Sequence, residues 1–450
     1  MVTRVSEEQP PLHERMGVRD RQDWRPRPTL TGVDYTSHEV YAEERERLFF
    51  RGWFCVGRAD EVPGAGDYVV RDVAGESVFV TRNRDGALRA FYNVCAHRGT
   101  KLLDDEPSCG SFGKALKCPY HAWSYDSDGR LLATPNVQED EQFDRQDYRL
   151  HGIGVGEHAG FLFVSLAETP IPLADWLRNS NETITDFDRY RMGELRLGRR
   201  ITYDVAANWK IVAENYSECY HCPPVHPMLN KLTPYDLGED FLADGPWKGG
   251  WMVFADGCET MSISGQRDGR PLLYARDEAE ARRIFYYILW PNLIVSVHPD
   301  YVLTHQAWPD GPNRSTVHCD LYVEADKIDT VDVSGAVEFW DITNREDYHV
   351  VELQQQGTRS RSWTAGRYSN QEASVHAFDI MVADRYANDG SRTVRGWRTE
   401  TAGERRLVTR RLGPAQQAEA EEAAAASATR SAHASDAHEA NRANGANGAA

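Results

Sequence analysis

Cys95-x-His97 and Cys118-x2-His121 place two thiolates and two imidazoles in paired spacing. That donor set suits a structural zinc ion, for which two Cys and two His are a standard complement. It equally suits a two-iron two-sulfur cluster in which imidazoles replace thiolates on one iron, a change that raises the reduction potential and makes the group easy to reduce. Downstream, the string Glu214-Asn215-Tyr216-Ser217-Glu218-Cys219-Tyr220-His221-Cys222-Pro223-Pro224-Val225-His226 holds a second set of different chemistry. His221 and His226 are five apart, and Pro223-Pro224 between them must stop a helix near Cys222 so that His226 folds back toward His221. Glu218 precedes His221 by three and is expected on the same helical face. Two His plus one carboxylate, with coordination positions left open, form the facial triad of non-heme ferrous oxygen chemistry. The carboxylate must come from elsewhere in the chain.

Each pair of the first set lies between strand-like runs. Ser77 to Thr81, a turn at Asp85-Gly86 and Leu88 to Val94 lead into Cys95, while Lys114 to Lys117 lead into Cys118, with a second turn at Asp128-Gly129. Two hairpin tips pinching one group is the expected picture. Further on, Gly250 to Phe254, Phe285 to Leu289, Leu293 to His298, Leu303 to Ala307 and Ser315 to Val323 read as strands, the last two joined by a turn at Pro309-Asp310-Gly311-Pro312.

The strings Cys-x-His-Arg-Gly and Cys-Pro-Tyr-His-Ala-Trp, the Asn208-Trp209-Lys210 lead-in, the Glu-Asn-Tyr to His-Pro segment, and Glu346-Asp347 followed by Glu352-Leu353-Gln354 resemble the large terminal subunits of Rieske non-heme iron oxygenases, from about Tyr41 to Arg410. The resemblance implies a Rieske 2Fe-2S cluster on Cys95, His97, Cys118 and His121, and a mononuclear Fe(II) on His221, His226 and a late Asp. Asp347 matches that Asp, with Glu346 and Asp341 as rivals, on a helix read from Val337 to Gln356 and ended by Gly357. The spacer from Arg98 to Lys117, at 20 residues, is a little longer than the family usually shows, and Cys109 within it is expected to be a free thiol on an enlarged loop. The residues flanking His121 offer no extra Cys of the kind that forms a disulfide in the respiratory branch, which implies a lower-potential, oxygenase-type cluster. Glu218 matches the family's bridging carboxylate, which links an iron-ligand His to a cluster-ligand His of the neighbouring subunit, and so implies a homotrimer. Many members have Asp there, and Glu marks the branch acting on glycine betaine, choline and carnitine. Asn215 is read beside Glu218 as part of the catalytic apparatus, with Asn208 and Tyr220 near it.

The implied fold class is α+β: an all-β Rieske iron-sulfur domain and a helix-grip catalytic domain, an antiparallel sheet with long helices. The expected organisation is an N-terminal arm over 1–44, lying over the surface or a neighbour, the Rieske domain over 45–165, the catalytic domain over 166–412, and an Ala-rich disordered tail over 413–450. A chain of 450 residues with 41% hydrophobic content is long enough for two sizeable cores. A net charge of -18 argues against nucleic acid or an anionic membrane as partner. Of eight Cys, two belong to the first donor set, while Cys55, Cys219, Cys222, Cys258 and Cys319 show no framework spacing, so a reducing cytoplasm is the simpler compartment. No positively charged segment followed by an apolar stretch opens the chain, so no export signal is read. The longest apolar run, Ile284 to Val297, is broken by Pro291 and Asn292 and reads as buried sheet rather than a span.

No Gly-rich nucleotide-binding fingerprint stands at a strand-to-helix junction, so electrons are expected from a separate NAD(P)H-dependent reductase, with or without a ferredoxin. The implied reaction is hydroxylation of a small organic substrate with O2. If Glu218 is informative, an N-methyl carbon of a quaternary ammonium compound such as a betaine is hydroxylated and lost as formaldehyde. A box of aromatic faces would hold such a cation, and Trp251, Phe254, Trp290 and Tyr301, with Phe285 and Tyr286, are the candidates. Hydroxylation or cis-dihydroxylation of an aromatic ring or acid is the competing enzyme reading. A Rieske electron carrier without oxygenase activity, and a zinc-bound interaction protein, are the readings from other classes.

Overall fold

The computed structural model describes residues 29–138, 143–178, 186–241, 246–274, 280–363 and 365–387. The expected tail and the first 28 residues of the expected arm lie outside them.

On the cluster side, alternating apolar runs build a four-stranded antiparallel sheet in the order Leu88–Tyr92, Glu76–Arg82, Asp67–Val73, Cys109–Ser111. The spacer between the two Cys/His pairs is therefore partly an edge strand: Cys109 pairs with Val69 and is a free, exposed thiol. A three-stranded sheet, Leu116–Lys117, Ser124–Tyr125, Leu131–Ala133, packs on the first through Val70, Phe79, Phe91, Trp123 and Tyr125. The Asp128-Gly129 turn that closes it needs glycine: φ at Gly129 is +76°, and a Cβ would come within 2.4 Å of the Phe91 ring.

A third small sheet, Phe54–Arg58, Phe161–Ser165, Gly154–His158, joins this side to the rest. Its first two strands are buried along their whole length, as strands covered on both faces must be. The Asn292 side chain exchanges two hydrogen bonds of 2.9 Å with the backbone of Cys55 across the junction. One core consequently runs from Val78 and Val80 through Phe54 and Phe163 to Trp290 and Leu293.

The larger part is a seven-stranded antiparallel sheet, in the order Leu195–Val205, Ser315–Glu324, Val302–Pro309, Leu293–Val297, Arg283–Leu289, Trp247–Val253, Gly238–Phe241. The apolar run from Ile284 to Val297 folds as a hairpin with Leu289 paired to Leu293, so the break at Pro291-Asn292 is its turn. Period-two alternation sends Phe285, Tyr287 and Leu289 into the core shared with the cluster side, while Ile284, Met252 and Leu303 face the opposite way. Across that second face lies the helix Ser334–Gly357, burying Ala336, Phe339, Trp340, Thr343, Asn344 and Val351 at three- and four-residue steps. This is the helix-grip arrangement expected from the sequence, with the helix begun one turn earlier than read.

The arm expectation is corrected for residues 29–44. Helices Gly32–Thr36 and His38–Glu44 are not laid over the surface but inserted beside the second histidine segment. The Tyr35 hydroxyl donates to the Glu214 carboxylate at 3.0 Å, and Glu44 pairs with the buried Lys210 and accepts the Trp209 indole N–H at 2.9 Å. Leu30, Tyr35 and Val40 supply the apolar surface that makes this insertion favourable. Among the described residues no helix is long and apolar enough to cross a membrane.

Candidate functional site

The first donor set sits on two loops of similar build. Cys95 N–H donates to Thr100 C=O at 2.8 Å and Cys118 N–H to Trp123 C=O at 2.7 Å, so each loop is closed by its own backbone. Both thiols are buried, and the Tyr125 hydroxyl lies 3.2 Å from Cys95 Sγ while accepting the Ala96 N–H at 3.2 Å. The imidazoles of His97 and His121 lie 4.7 Å apart, half-buried, with His97 stacked on Trp123 at 4.6 Å. Nδ1 of both rings is buried and lacks a hydrogen-bond partner among the described residues. Two orphaned nitrogens beside two buried thiols fit a metal group. Donors of one tetrahedral zinc would all crowd within about 4 Å of one another. Among the described residues, the group of three or more His, Cys, Asp or Glu donors found within 4.8 Å is a different one, so this set is spread for something wider than one ion, as a 2Fe-2S cluster is.

That compact group is His221, His226 and Asp347. The helix Trp209–Tyr216 is capped by Asn208, whose side chain accepts the Lys210 N–H at 2.9 Å, and ends at Ser217. Glu218 therefore lies beyond the helix, and the expectation that it shares a helical face with His221 is corrected: a turn brings its Oε1 to 2.6 Å from His221 Nδ1. Pro223-Pro224 also act differently from the reading. They stand in the first turn of a short helix, Cys222–Val225, where a missing N–H costs nothing, and so they start a helix instead of ending one. The reading that Cys219 and Cys222 show no disulfide spacing is corrected here too, because the two, with Cα atoms 4.9 Å apart, form a disulfide around His221.

Asp347 arrives from the long helix, 121 residues after His226. Its Oδ1 lies 3.2 Å from His221 Nε2 and 2.8 Å from His226 Nε2. The outer nitrogens are held by carboxylates: His221 Nδ1 by Glu218, and His226 Nδ1 by Glu346 Oε2 at 2.8 Å. With Nδ1–H donating outward, both Nε2 lone pairs face inward, the orientation a metal requires. Glu346, a rival for the ligand position, thus orients a ligand, and Asp341 is engaged elsewhere, accepting the Tyr203 hydroxyl at 2.8 Å. Asn215 Nδ2 stands 3.5 Å from His221 Nε2. Electrostatics agree that the site wants positive charge. Burial opposes a charged His221, yet its hydrogen bonds to Asp347 and Glu218 prevail and push its pKa up to about 10. Burial likewise opposes ionised Asp347, and the two imidazoles nevertheless hold it well below the usual carboxylate range. A divalent cation meets that demand without protons.

A cavity of ≈ 110 Å³ opens beside these donors, lined among others by Tyr216, Tyr286, Trp340, Met252, Lys248 and Asp240. Of the six aromatic residues proposed from sequence to bind substrate, Tyr286 lines it, Phe285 points into the opposite core, and Trp251 borders it, but its ring packs with that opposite core and stacks under Arg283 at 4.4 Å. Phe254, Trp290 and Tyr301 are not among the lining residues. Trp290 packs between Trp209 and Phe378, and the Tyr301 hydroxyl donates to Met261 C=O at 2.7 Å while accepting the Trp340 indole N–H at 2.8 Å. A one-residue offset from Met252 turns Trp251 to the other face, while Phe254 and Tyr301 share the core of Met252 without reaching the cavity, so aromatic content alone does not separate lining from core. Tyr216, Trp340 and Lys248 were missed. Trp340 had a readable signal, since Trp340, Thr343 and Asp347 share one helical stripe and all line the cavity. Lys248 had none.

Comparison with known proteins follows the same division. The model described as Rieske [2Fe-2S] domain matches residues 52–148, and that of the ring hydroxylating alpha subunit (catalytic domain) matches residues 192–388. The carnitine monooxygenase oxygenase subunit of Escherichia coli (strain K12) is 30% identical over 341 residues, covering 74% of this chain and 85% of that protein. The glycine betaine monooxygenase oxygenase subunit of Pseudomonas aeruginosa (strain UCBPP-PA14) is 29% identical over 388 residues, covering 79% and 88%. A solved quaternary ammonium Rieske monooxygenase in complex with L-carnitine matches with a TM-score of 0.66 and 26% identity, over 80% of this chain and 95% of that one. Naphthalene 1,2-dioxygenase from Rhodococcus sp., at 22% identity and a TM-score of 0.59 over 80% and 92%, shares the fold.

Proposed function

We infer the activity from one premise: the chain belongs to the Rieske-type oxygenase large subunits, close to the carnitine, glycine betaine and choline monooxygenases. It is an oxidoreductase built for a Rieske 2Fe-2S cluster and a mononuclear iron, and it works with a separate reductase. The substrate proposed is a small quaternary ammonium compound of the betaine kind. The observation that carries this is the cavity beside His221, His226 and Asp347, where the rings of Tyr216, Tyr286 and Trp340 stand together with the carboxylates of Glu218 and Asp240. Ring faces attract a trimethylammonium group, and the two carboxylates add their negative charge to that attraction.

Iron held there, when bound, supplies dioxygen activation with electrons drawn from the cluster. The chain's own residues position and enclose. Glu218 and Glu346 lock the two imidazoles, Asp347 completes the donor set, and the rings exclude water around the cation. Hydroxylation of an N-methyl carbon consumes O2, two electrons and two protons and yields water and an N-hydroxymethyl ammonium. That product breaks its C–N bond to give tertiary amine, formaldehyde and a proton.

Glu218 is proposed as the bridge to the cluster of a neighbouring protomer in a homotrimer. Supporting this, Tyr120 beside the cluster ligand His121 is 59% exposed and Tyr220 beside Glu218 is 53% exposed, leaving aromatic surface next to both centres for a neighbour to cover. Glu218→Gln should leave both metals bound and slow turnover at least tenfold, while rates unchanged from wild type would remove the bridge. The reductase is proposed to be NAD(P)H-dependent, with or without a ferredoxin, and the setting cytoplasmic.

The activity itself is tested with purified holoenzyme and a surrogate NAD(P)H reductase, offered glycine betaine, choline and an arene in turn. Formaldehyde with matched O2 uptake is expected from the ammonium compounds. A phenol or diol from the arene, with no ammonium turnover, overturns the assignment.

A further inference from the structure

The cavity has a cationic wall that neither the iron ligands nor the aromatic rings explain. Lys248 lies in the strand Trp247–Val253 at 0% exposure, and it is the one lysine or arginine among the described residues lining the cavity. Its ammonium donates to the Ser374 carbonyl and, at 2.8 Å, to the Ser374 hydroxyl. Both acceptors are neutral and sit in the first turn of the helix Ala373–Ala387, and Ser374 also lines the cavity. Three N–H groups are present and two are used, so one remains to donate. A buried ammonium whose hydrogen bonds go only to neutral acceptors is costly, and although Asp240 lines the same cavity, the cost falls further when an anion takes the remaining N–H.

Burial pulls Lys248 down to about 7, with the charges of Asp240, Asp379 and Glu214 acting in the other direction. The group therefore stands between its neutral and charged forms and takes up full charge readily when an anion approaches. The register sets the distance over which this matters. Gly250 is paired with Tyr286 and Lys248 with Ile288, so the lysine stands one same-face step from the aromatic end, about 7 Å along the strand. Gly249 and Gly250 between them carry no side chain to fill that span.

We propose that Lys248, positioned by Ser374, is the residue that anchors the carboxylate of the betaine substrate while its ammonium sits among Tyr216, Tyr286 and Trp340. The proposal rests on the betaine reading above and deepens it by naming the side chain that holds the acid group. The alternative role for Lys248 is internal, as counter-ion to Asp240 in the cavity wall and to the buried acids Asp379 and Glu214.

The experiment compares glycine betaine with choline, which has the same trimethylammonium head and no carboxylate. Wild-type holoenzyme with a surrogate reductase is expected to show a lower KM for glycine betaine than for choline, read as formaldehyde and O2 uptake. K248M is expected to raise the KM for glycine betaine at least tenfold more than that for choline, with S374A giving a smaller shift in the same direction. Equal losses for both substrates in K248M would assign the lysine to the internal role and overturn the proposal. An unchanged KM for glycine betaine in K248M overturns it as well. Should K248M fail to fold, S374A decides by the same selective rise in KM for glycine betaine, its absence overturning the proposal, and a lower wild-type KM for choline is in any case incompatible with a carboxylate anchor. Turnover of neither ammonium compound by wild type would instead remove the functional reading on which the proposal stands.

Discussion

At the cluster, all four donors sit on two loops closed by their own backbone hydrogen bonds, Cys95 to Thr100 and Cys118 to Trp123, and the imidazoles stay half-buried at the rim. At the iron, two imidazoles on one turn wait for a carboxylate that follows 121 residues later on another element, and that carboxylate's approach is set by a helix gripped in a seven-stranded sheet. The first centre needs only local geometry to hold its donors, while the second exists only when the whole domain has packed. An electron-storing group works at the surface, where a partner can reach it. An oxygen-activating group must be walled from water, and the wall has to come from distant parts of the chain.

The largest test of this contrast removes the long-range donor. Asp347→Ala should lower the iron content from three to two per chain and abolish turnover, with the visible spectrum of the cluster unaltered, while loss of both centres together would contradict the independence claimed for the loops. Next comes the packing that supports the iron turn. Lys210→Met leaves Glu44 buried without its counter-charge, the two side chains each being 1% exposed, and should cost about 3–5 kcal/mol in urea denaturation. Mononuclear iron should be lost at lower urea than cluster absorbance if the two regions respond separately.

A smaller change sharpens the comparison within the iron site. Glu346→Gln keeps a hydrogen-bond acceptor for His226 Nδ1 but removes its charge, and about a 10–100-fold weaker iron affinity is expected in chelator competition, with the cluster untouched. The smallest effect is expected at the cluster. Tyr125→Phe deletes the hydroxyl 3.2 Å from Cys95 Sγ and should make the reduction potential more negative in a redox titration, with two cluster irons retained. A potential equal to wild type would mean that this hydroxyl does not act on the sulfur.

The parts of the molecule that were legible in advance are those whose physics is local. The Cys/His pairs, the strands Arg283–Leu289 and Leu293–Val297 with their turn, and the helix Ser334–Gly357 follow from spacing, alternation and punctuation residues. Where the reading missed, a non-local competitor prevailed. Helix Trp209–Tyr216 ended before Glu218, so the prolines found themselves opening a helix. Residues 29–44 look polar enough for an arm, yet Tyr35 and Glu44 have buried partners on Glu214 and Lys210 that no local pattern reveals. Trp290 sits in the opposite core from Tyr286, whereas Tyr301 shares the side of Tyr286 and is tied into the core by its hydrogen bonds to Met261 and Trp340, and no local pattern tells these three aromatic residues apart.

Residue order by itself determined which donors are present, how the two Cys/His loops and the two imidazoles of the iron turn are spaced, and that an acid-bearing helix follows them. Tertiary structure decided that Asp347 rather than Glu346 or Asp341 meets His221 and His226, that Glu346 turns instead to orient His226, and that Lys248 faces the cavity. The physical reason is that ligand type and short spacing are properties of the covalent chain. The side of a helix or sheet that a residue presents to a site more than a hundred positions away is set only by how those elements pack.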